Sequence, residues 1–257
     1  MPITMTTENG NVKIYMAGSG ALTIDWGDGT DQETHTLLEH NNDWFDREWN
    51  YQFAYTHDYS DVSSHTITIT GKNITHLGCG GNELTRLDVS KNTELTSLDC
   101  WGNQLMRLDM SQNTSLIQLS CAFNPLTNLD ISKNAALKEL HCQQNQLTSL
   151  DVSRNIALTE LHCSINQLTS LDVSKNTALT RLYCFMNQFT SLDMSKNTAL
   201  IHLDCDKNLL TAPALDTLFG TLNDTPGTKT ISIGDNPGTA DCHKSIAKKK
   251  KWTLSFT

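Results

Sequence analysis

No apolar stretch in the 257 residues approaches the roughly 20 that a helix needs to cross a bilayer, so the sequence excludes a helical membrane span. Basic residues are in the minority. Nineteen Lys and Arg against 28 Asp and Glu leave a formal charge of −9 and a pI of about 5.4, which argues against a nucleic-acid partner, because such partners are held mainly by neutralising phosphates. GxSxG, phosphate-loop and dinucleotide glycine motifs are all missing, so no catalytic role and no cofactor are expected. Met1-Pro2-Ile3 runs straight into polar residues, so no leader is visible; a mature chain would already have lost one.

What is present is repetition. Glu139, His141 and Cys142 recur as Glu160, His162 and Cys163, each 21 residues on. At that period one column reads Ile74, Leu95, Leu116, Leu137, Leu158, Leu179, Leu200, and a second, three residues later, runs from Leu77 to Leu203. A cysteine column follows (Cys79 to Cys205), then an asparagine column (Asn82 to Asn208). Each unit has a similar second half, such as LTSLDVSKN at residues 168–176. One such coil cannot bury its leucines alone, so several must stack and both ends need capping.

The unit L-x-x-L-x-C-x-x-N resembles the leucine-rich repeat, with Cys in a position usually held by Leu. The 21-residue double form looks like the short bacterial class and, more loosely, like internalins. The resemblance implies one short parallel strand per coil, with neighbours about 4.8 Å apart. It also implies an extracellular or cell-surface setting.

Strand parity then bears on the Glu-Leu-His-Cys motif. Successive side chains point to opposite faces, so Leu140 and Cys142 point inward while Glu139 and His141 point outward. A Cys-His nucleophile pair or a Cys/His zinc site is thereby disfavoured. The Glu139, His141, Glu160, His162 square reads as a solvated strand face, with metal binding as the lesser alternative. The column cysteines read as buried, reduced thiols, whereas Cys242 stands outside the column with its state open. The asparagines read as scaffold that satisfies backbone groups at each bend. The aspartates at 88, 109, 130, 151, 172 and 193 read as a hydrogen-bonded, charge-compensated edge, a cation ladder being the minor alternative.

Comparing coils within the chain separates constant from variable positions. Second halves barely change, as in SLDVSKNTA and SLDMSKNTA, whereas first halves differ at every outward position. Outward aromatics gain nothing in a core, so Trp101, Phe123, Tyr183, Phe185 and Met186 are candidate contacts. Together with Ile165, Arg181, Glu139, His141, Glu160 and His162 they form a candidate binding face, to be weighed against plain repeat drift. The expected function is a non-enzymatic module that binds a protein partner through this variable face. A glycan-binding adhesin using Trp101 and Tyr183, or a structural spacer, are the alternatives.

Residues 1–72 lack the repeat. VKIYMA, ALTIDWGDGT and HTITITG alternate like strands of a small β-sandwich. ALTIDWGDGT, FAYTHDYS and SHTITITG resemble the polycystic-kidney-disease type domain, an immunoglobulin-like module, though without the usual Gly after Tyr59. The resemblance implies a core Trp26, a turn at Asp28-Gly29, and His57 and Tyr59 near a last hairpin. It offers Asp25, Asp28 and Asp31 as weak calcium candidates, turn chemistry explaining Asp28 equally well. NNDWFDREWNYQF, residues 41–53, reads as a lid or insertion whose Trp44, Phe45 and Trp49 pack onto the first coil. The fold expected is thus mixed, with a sandwich at 1–72, a leucine-rich repeat solenoid at 73–211 and an α/β cap at 212–257. In the cap Leu215, Leu218, Phe219 and Leu222 predict a helix, and Lys248 to Lys251 predict a favourably charged C-terminus of a second helix.

Overall fold

The computed structural model describes residues 2–39, 54–61 and 63–255. The NNDWFDREWNYQF segment lies outside the described residues. The chain folds as two compact units, residues 1–126 and 127–257.

In the first unit, alternating patterns become strands with one buried face. β1 (Ile3–Thr7) buries Ile3 and Met5 and turns Thr4 and Thr6 outward. With β3 (Gly20–Asp25), β4 (Glu33–Leu37), β6 (His65–Gly71) and β8 (Arg86–Asp88) it forms an antiparallel sheet in the order β4-β3-β6-β1-β8. β2 (Asn11–Gly18) pairs antiparallel with β5 (Ala54–Asp58) on one side and β7 (Ile74–Gly78) on the other. β7 begins a parallel run through β9 (Ser97–Asp99) and β10 (Gln118–Ser120), in register every 21 residues. The two halves of the first coil therefore close on different N-terminal strands, β7 on β2 and β8 on β1. Met16 lies opposite Leu77 and Met5 opposite Leu87.

Trp26 is buried, as expected, and its Nε1 donates to Glu33 at 2.8 Å. The Tyr59 hydroxyl donates to the Trp26 carbonyl at 2.7 Å, and His57 stacks on Trp26 at 4.9 Å. β5 and β6 do not form the hairpin expected around His57 and Tyr59; they belong to different sheets, and the segment between them crosses from one to the other. Asp28 makes turn bonds, accepting from the backbone and hydroxyl of Thr30 and meeting His57 Nε2 at 2.7 Å. Its carboxyl is held far below the usual range, chiefly by Thr30.

In the second unit β11 (Glu139–His141), β12 (Glu160–His162), β13 (Arg181–Tyr183) and β14 (His202–Asp204) pair in parallel, in register 21 residues apart. β15 (Lys229–Ser232) and β16 (Trp252–Ser255) continue the same parallel ladder. Helix α1 (Ala212–Thr221), with a proline in its first turn, buries Leu215, Leu218 and Phe219 at the predicted spacing. The second predicted helix is shorter than ADCHKSIAKKKK, spanning α2 (Ser245–Lys249) alone. Lys248 and Lys249 lie in its last turn, while Lys250 reaches across to bond the Leu222 carbonyl beyond the end of α1 at 2.6 Å.

The coils are held by the columns the sequence displays. Leu158, Leu161, Cys163, Leu168 and Val173 of one coil are all essentially inaccessible, and each such burial contributes about 1.5–3 kcal/mol. The asparagines bind consecutive coils. Asn187 donates to Cys163 and Cys184 carbonyls at 3.1 and 3.2 Å and accepts from the Leu168 N–H at 3.0 Å. Asn166 and Asn208 repeat this pattern one coil away on either side. Asn236, inside the C-terminal segment, makes the same three bonds for the last coil, to Cys205, Ile233 and Leu210. The edge aspartates accept from the backbone of the serine two residues on, from Asp88 to Ser90 through Asp193 to Ser195. Bonding to serine holds the carboxyls of Asp88, Asp130, Asp151 and Asp172 below their usual range, with the following Lys or Arg adding less.

Candidate binding face

Parity fixes what each strand presents. On β11 and β12 Leu140 and Leu161 are buried, while Glu139, His141, Glu160 and His162 are half-buried on the opposite side. Cys142 and Cys163 face inward, are fully buried, and cannot meet the histidines. Burial pushes the Cys163 thiol up to about 12, so it is inert as a nucleophile. Cys242 is free and also buried, its Sγ directed at the Thr239 carbonyl.

The outward side chains of the second unit form a connected strip. The His141 and His162 ring centroids lie 6.0 Å apart, His162 and Tyr183 5.0 Å, and Tyr183 and His202 4.7 Å. Phe185 meets His162 at 6.0 Å. Glu160 sits between the His141 ring, with Nε2 at 3.6 Å, and the Arg181 guanidinium, with Nη1 at 3.1 Å. The His141 interaction holds its carboxyl below the usual range, with partial burial opposing and Arg181 assisting. Desolvation pushes His162 down to about 4, with repulsion from His141 adding to it, and burial also lowers His202. Asp204, beside Tyr183 in register, is pushed up to about 6 by burial. Among the described residues no group of three His, Cys, Asp or Glu side chains is placed to hold a metal ion.

The turn after each strand adds a feature that the sequence reading missed. Gly81, Gly102, Phe123, Gln144, Ile165, Met186 and Lys207 all take left-handed backbone, with φ between 52° and 69°. Glycine adopts this conformation freely, whereas other residues pay about 1–2 kcal/mol and a β-branched one such as Ile165 is an outlier. The two glycines of that column were the available signal. Phe123 and Met186 are 45% and 43% exposed, so packing does not offset the strain.

In the first unit Trp101, 47% exposed, stands edge-on to Phe123 at 6.4 Å. Here the expectation of an open strand face fails next to the aromatics: Ser97, Asp99, Gln118 and Ser120 are buried, Ser97 to 1% exposure. Asp99 caps the following turn, its Oδ1 accepting the Trp101 N–H at 3.2 Å. The two aromatics thus rise from the turns beside a closed surface. Tyr183, Phe185 and Ile165 of the second unit are half-buried, and Arg181 is exposed.

A parallel ladder with a 21-residue register, inward leucines and an asparagine at every bend is now in place. The fold is a leucine-rich repeat solenoid. Solved structures share it. An internalin C2 from Listeria monocytogenes superposes with a TM-score of 0.60 at 20% identity, covering 72% of this chain and 81% of that one. A leucine-rich repeat protein from Leptospira interrogans gives 0.50 at 22% identity, covering 70% and 59%. The functional domain of InlJ from Listeria monocytogenes, described as including a cysteine ladder, is 33% identical over 68% of this chain at a TM-score of 0.39; this chain spans 47% of its length. No protein-family model and no curated protein matches the chain.

Proposed function

We propose that the chain is a non-enzymatic interaction module that binds a protein partner through the outward strip of the second unit. The observation that carries this reading is the placement of Ile165 and Met186. Apolar side chains sit there in a backbone conformation that disfavours them, Met186 exposed and Ile165 half-buried, beside Tyr183, Phe185 and Arg181. Strain under an exposed apolar side chain such as Met186 points to an external gain. In this reading residues 1–72 are a polycystic-kidney-disease type sandwich and residues 212–257 an α/β cap, each covering the coil it packs against. The setting is extracellular or at a bacterial cell surface, in keeping with the internalin likeness.

A glycan reading is favoured at a different place, the exposed Trp101 and Phe123 pair of the first unit, because a sugar's apolar face stacks on such rings. The test is capture of host-derived or surface proteins by the native chain and by a Tyr183→Glu, Phe185→Glu double variant of unchanged circular dichroism. A partner held by the first and lost by the second supports the reading. Equal capture by both sinks it.

A further inference from the structure

The strip ends in a carboxylate without a counter-charge. Asp204 is partly buried on β14, beside Tyr183 in register on β13, and its Oδ1 accepts the Asp206 N–H at 3.2 Å. Arg181, the one strand-face cation near it, turns the other way and binds Glu160. His202, on the same strand, directs Nδ1 to the Thr230 hydroxyl at 2.7 Å, and burial lowers its pKa. Among the described residues no Lys, Arg or His forms an ion pair with Asp204. A partly desolvated carboxylate is costly unless it is paired. The outward third and fifth positions of β11 to β14 carry Glu139, Glu160 and Asp204 against a single Lys or Arg, Arg181, so the strip as a whole attracts cations.

We infer that Asp204, with the Tyr183 hydroxyl beside it, receives an arginine side chain of the protein partner, which is therefore basic where it meets β13 and β14. The inference rests on the binding reading above and names the partner's chemistry at that face. A guanidinium suits the place better than an ammonium. Its planar fork can bond both carboxylate oxygens, and its weaker hydration lowers the cost of entering a strip lined by Tyr183, His202 and Phe185.

The test uses an acetylated Arg-Gly-Arg-Gly-Arg amide and its citrulline counterpart, titrated into the isotopically labelled full chain at pH 7.5 and followed by NMR. The arginine peptide is expected to shift Tyr183 and Asp204 resonances. Asp204→Asn is expected to weaken it about tenfold, the equivalent of about 1.4 kcal/mol, whereas Asp151→Asn, which removes an equal but distant charge, changes it less than about twofold. In the native chain the Asp204 carboxyl midpoint is expected to fall by about one unit when the peptide is bound. Equal binding of the two peptides, equal effects of the two substitutions, or an unmoved Asp204 midpoint would each overturn the inference. The peptide result does not depend on capture: intact capture through Tyr183 and Phe185 with no arginine preference removes this inference alone, while capture insensitive to those residues removes the binding reading.

Discussion

The Trp101 indole lies directly on Gly80: a β-carbon at Gly80 would stand 2.5 Å from both Cδ1 and Nε1 of the ring. Glycine is therefore required by the neighbouring coil's tryptophan, not by its own backbone. Gly80→Ala should lift the ring from its seat, at a cost of about 1–3 kcal/mol for overpacking. Trp101 emission and quenching by iodide, compared with a Trp101→Phe reference, report the displacement; unchanged quenching would mean the ring is not seated there.

Removing one amide of the asparagine column should be far more damaging than its size suggests. Asn187→Ala strands the buried Leu168 N–H and removes one of the two amide donors on each of the Cys163 and Cys184 carbonyls, which keep Asn166 and Asn208. At about 1–3 kcal/mol for an unsatisfied buried group, a loss of about 1–3 kcal/mol is expected in urea denaturation. Asn236→Ala should cost a similar amount, although Asn236 stands outside the repeat. A loss below about 0.5 kcal/mol at either position would contradict the bonding described, since that is the scale of ordinary surface substitutions.

The column thiols should be silent in the native protein. Cys121 and Cys163 are raised to about 12 by burial, and burial likewise raises Cys184 and Cys205 well above the usual thiol range. Labelling with a thiol reagent at pH 8 should proceed only as fast as the coils open, and mass spectrometry should find column cysteines modified together with local unfolding. Rapid modification of any column cysteine in the folded chain would refute their placement.

How much of this was legible in the sequence depends on whether a position belongs to the period. Leucine, cysteine and asparagine columns gave the inward face because strand parity and a 21-residue step suffice to place them. Asn236 escaped because it follows Asn208 by 28 residues, outside the step, although it does the same work. Burial of Ser97 and Gln118 was unreadable, since parity says which way a side chain points and not whether that side is open. Buried Lys229, whose Nζ donates to the Thr225 carbonyl at 2.6 Å, gave no sign among ordinary surface lysines. The candidate face was found by residue type alone; its ring-to-ring continuity and the strain under Ile165 needed the backbone.

His162 and Asp204 should bend the stability profile in opposite senses. His162 falls from 6.5 to about 4, so between those values the unfolded chain holds the extra proton and stability is lost as pH drops through that window. Asp204 rises from 3.8 to about 6, so the folded state holds the extra proton there and stability is lost as pH rises through it. His162→Gln should therefore flatten the acid limb of urea midpoints measured from pH 7 to pH 4. Asp204→Asn should raise the midpoint at pH 7 and leave it unchanged near pH 3.5. Parallel profiles for native and variant chains would show that neither group is perturbed as described.

Asn166, Asn187 and Asn208 each fasten their own bend to the one before it, and Asn236 accepts the last bend on the same terms as any coil would. The C-terminal segment thus docks to a repeated socket and not to a particular coil. Adding or removing a whole 21-residue turn leaves that socket intact and changes the array by about 4.8 Å and one row of outward side chains. Reach and specificity can then be altered by copying a turn and editing its outward residues, with no redesign of either terminus.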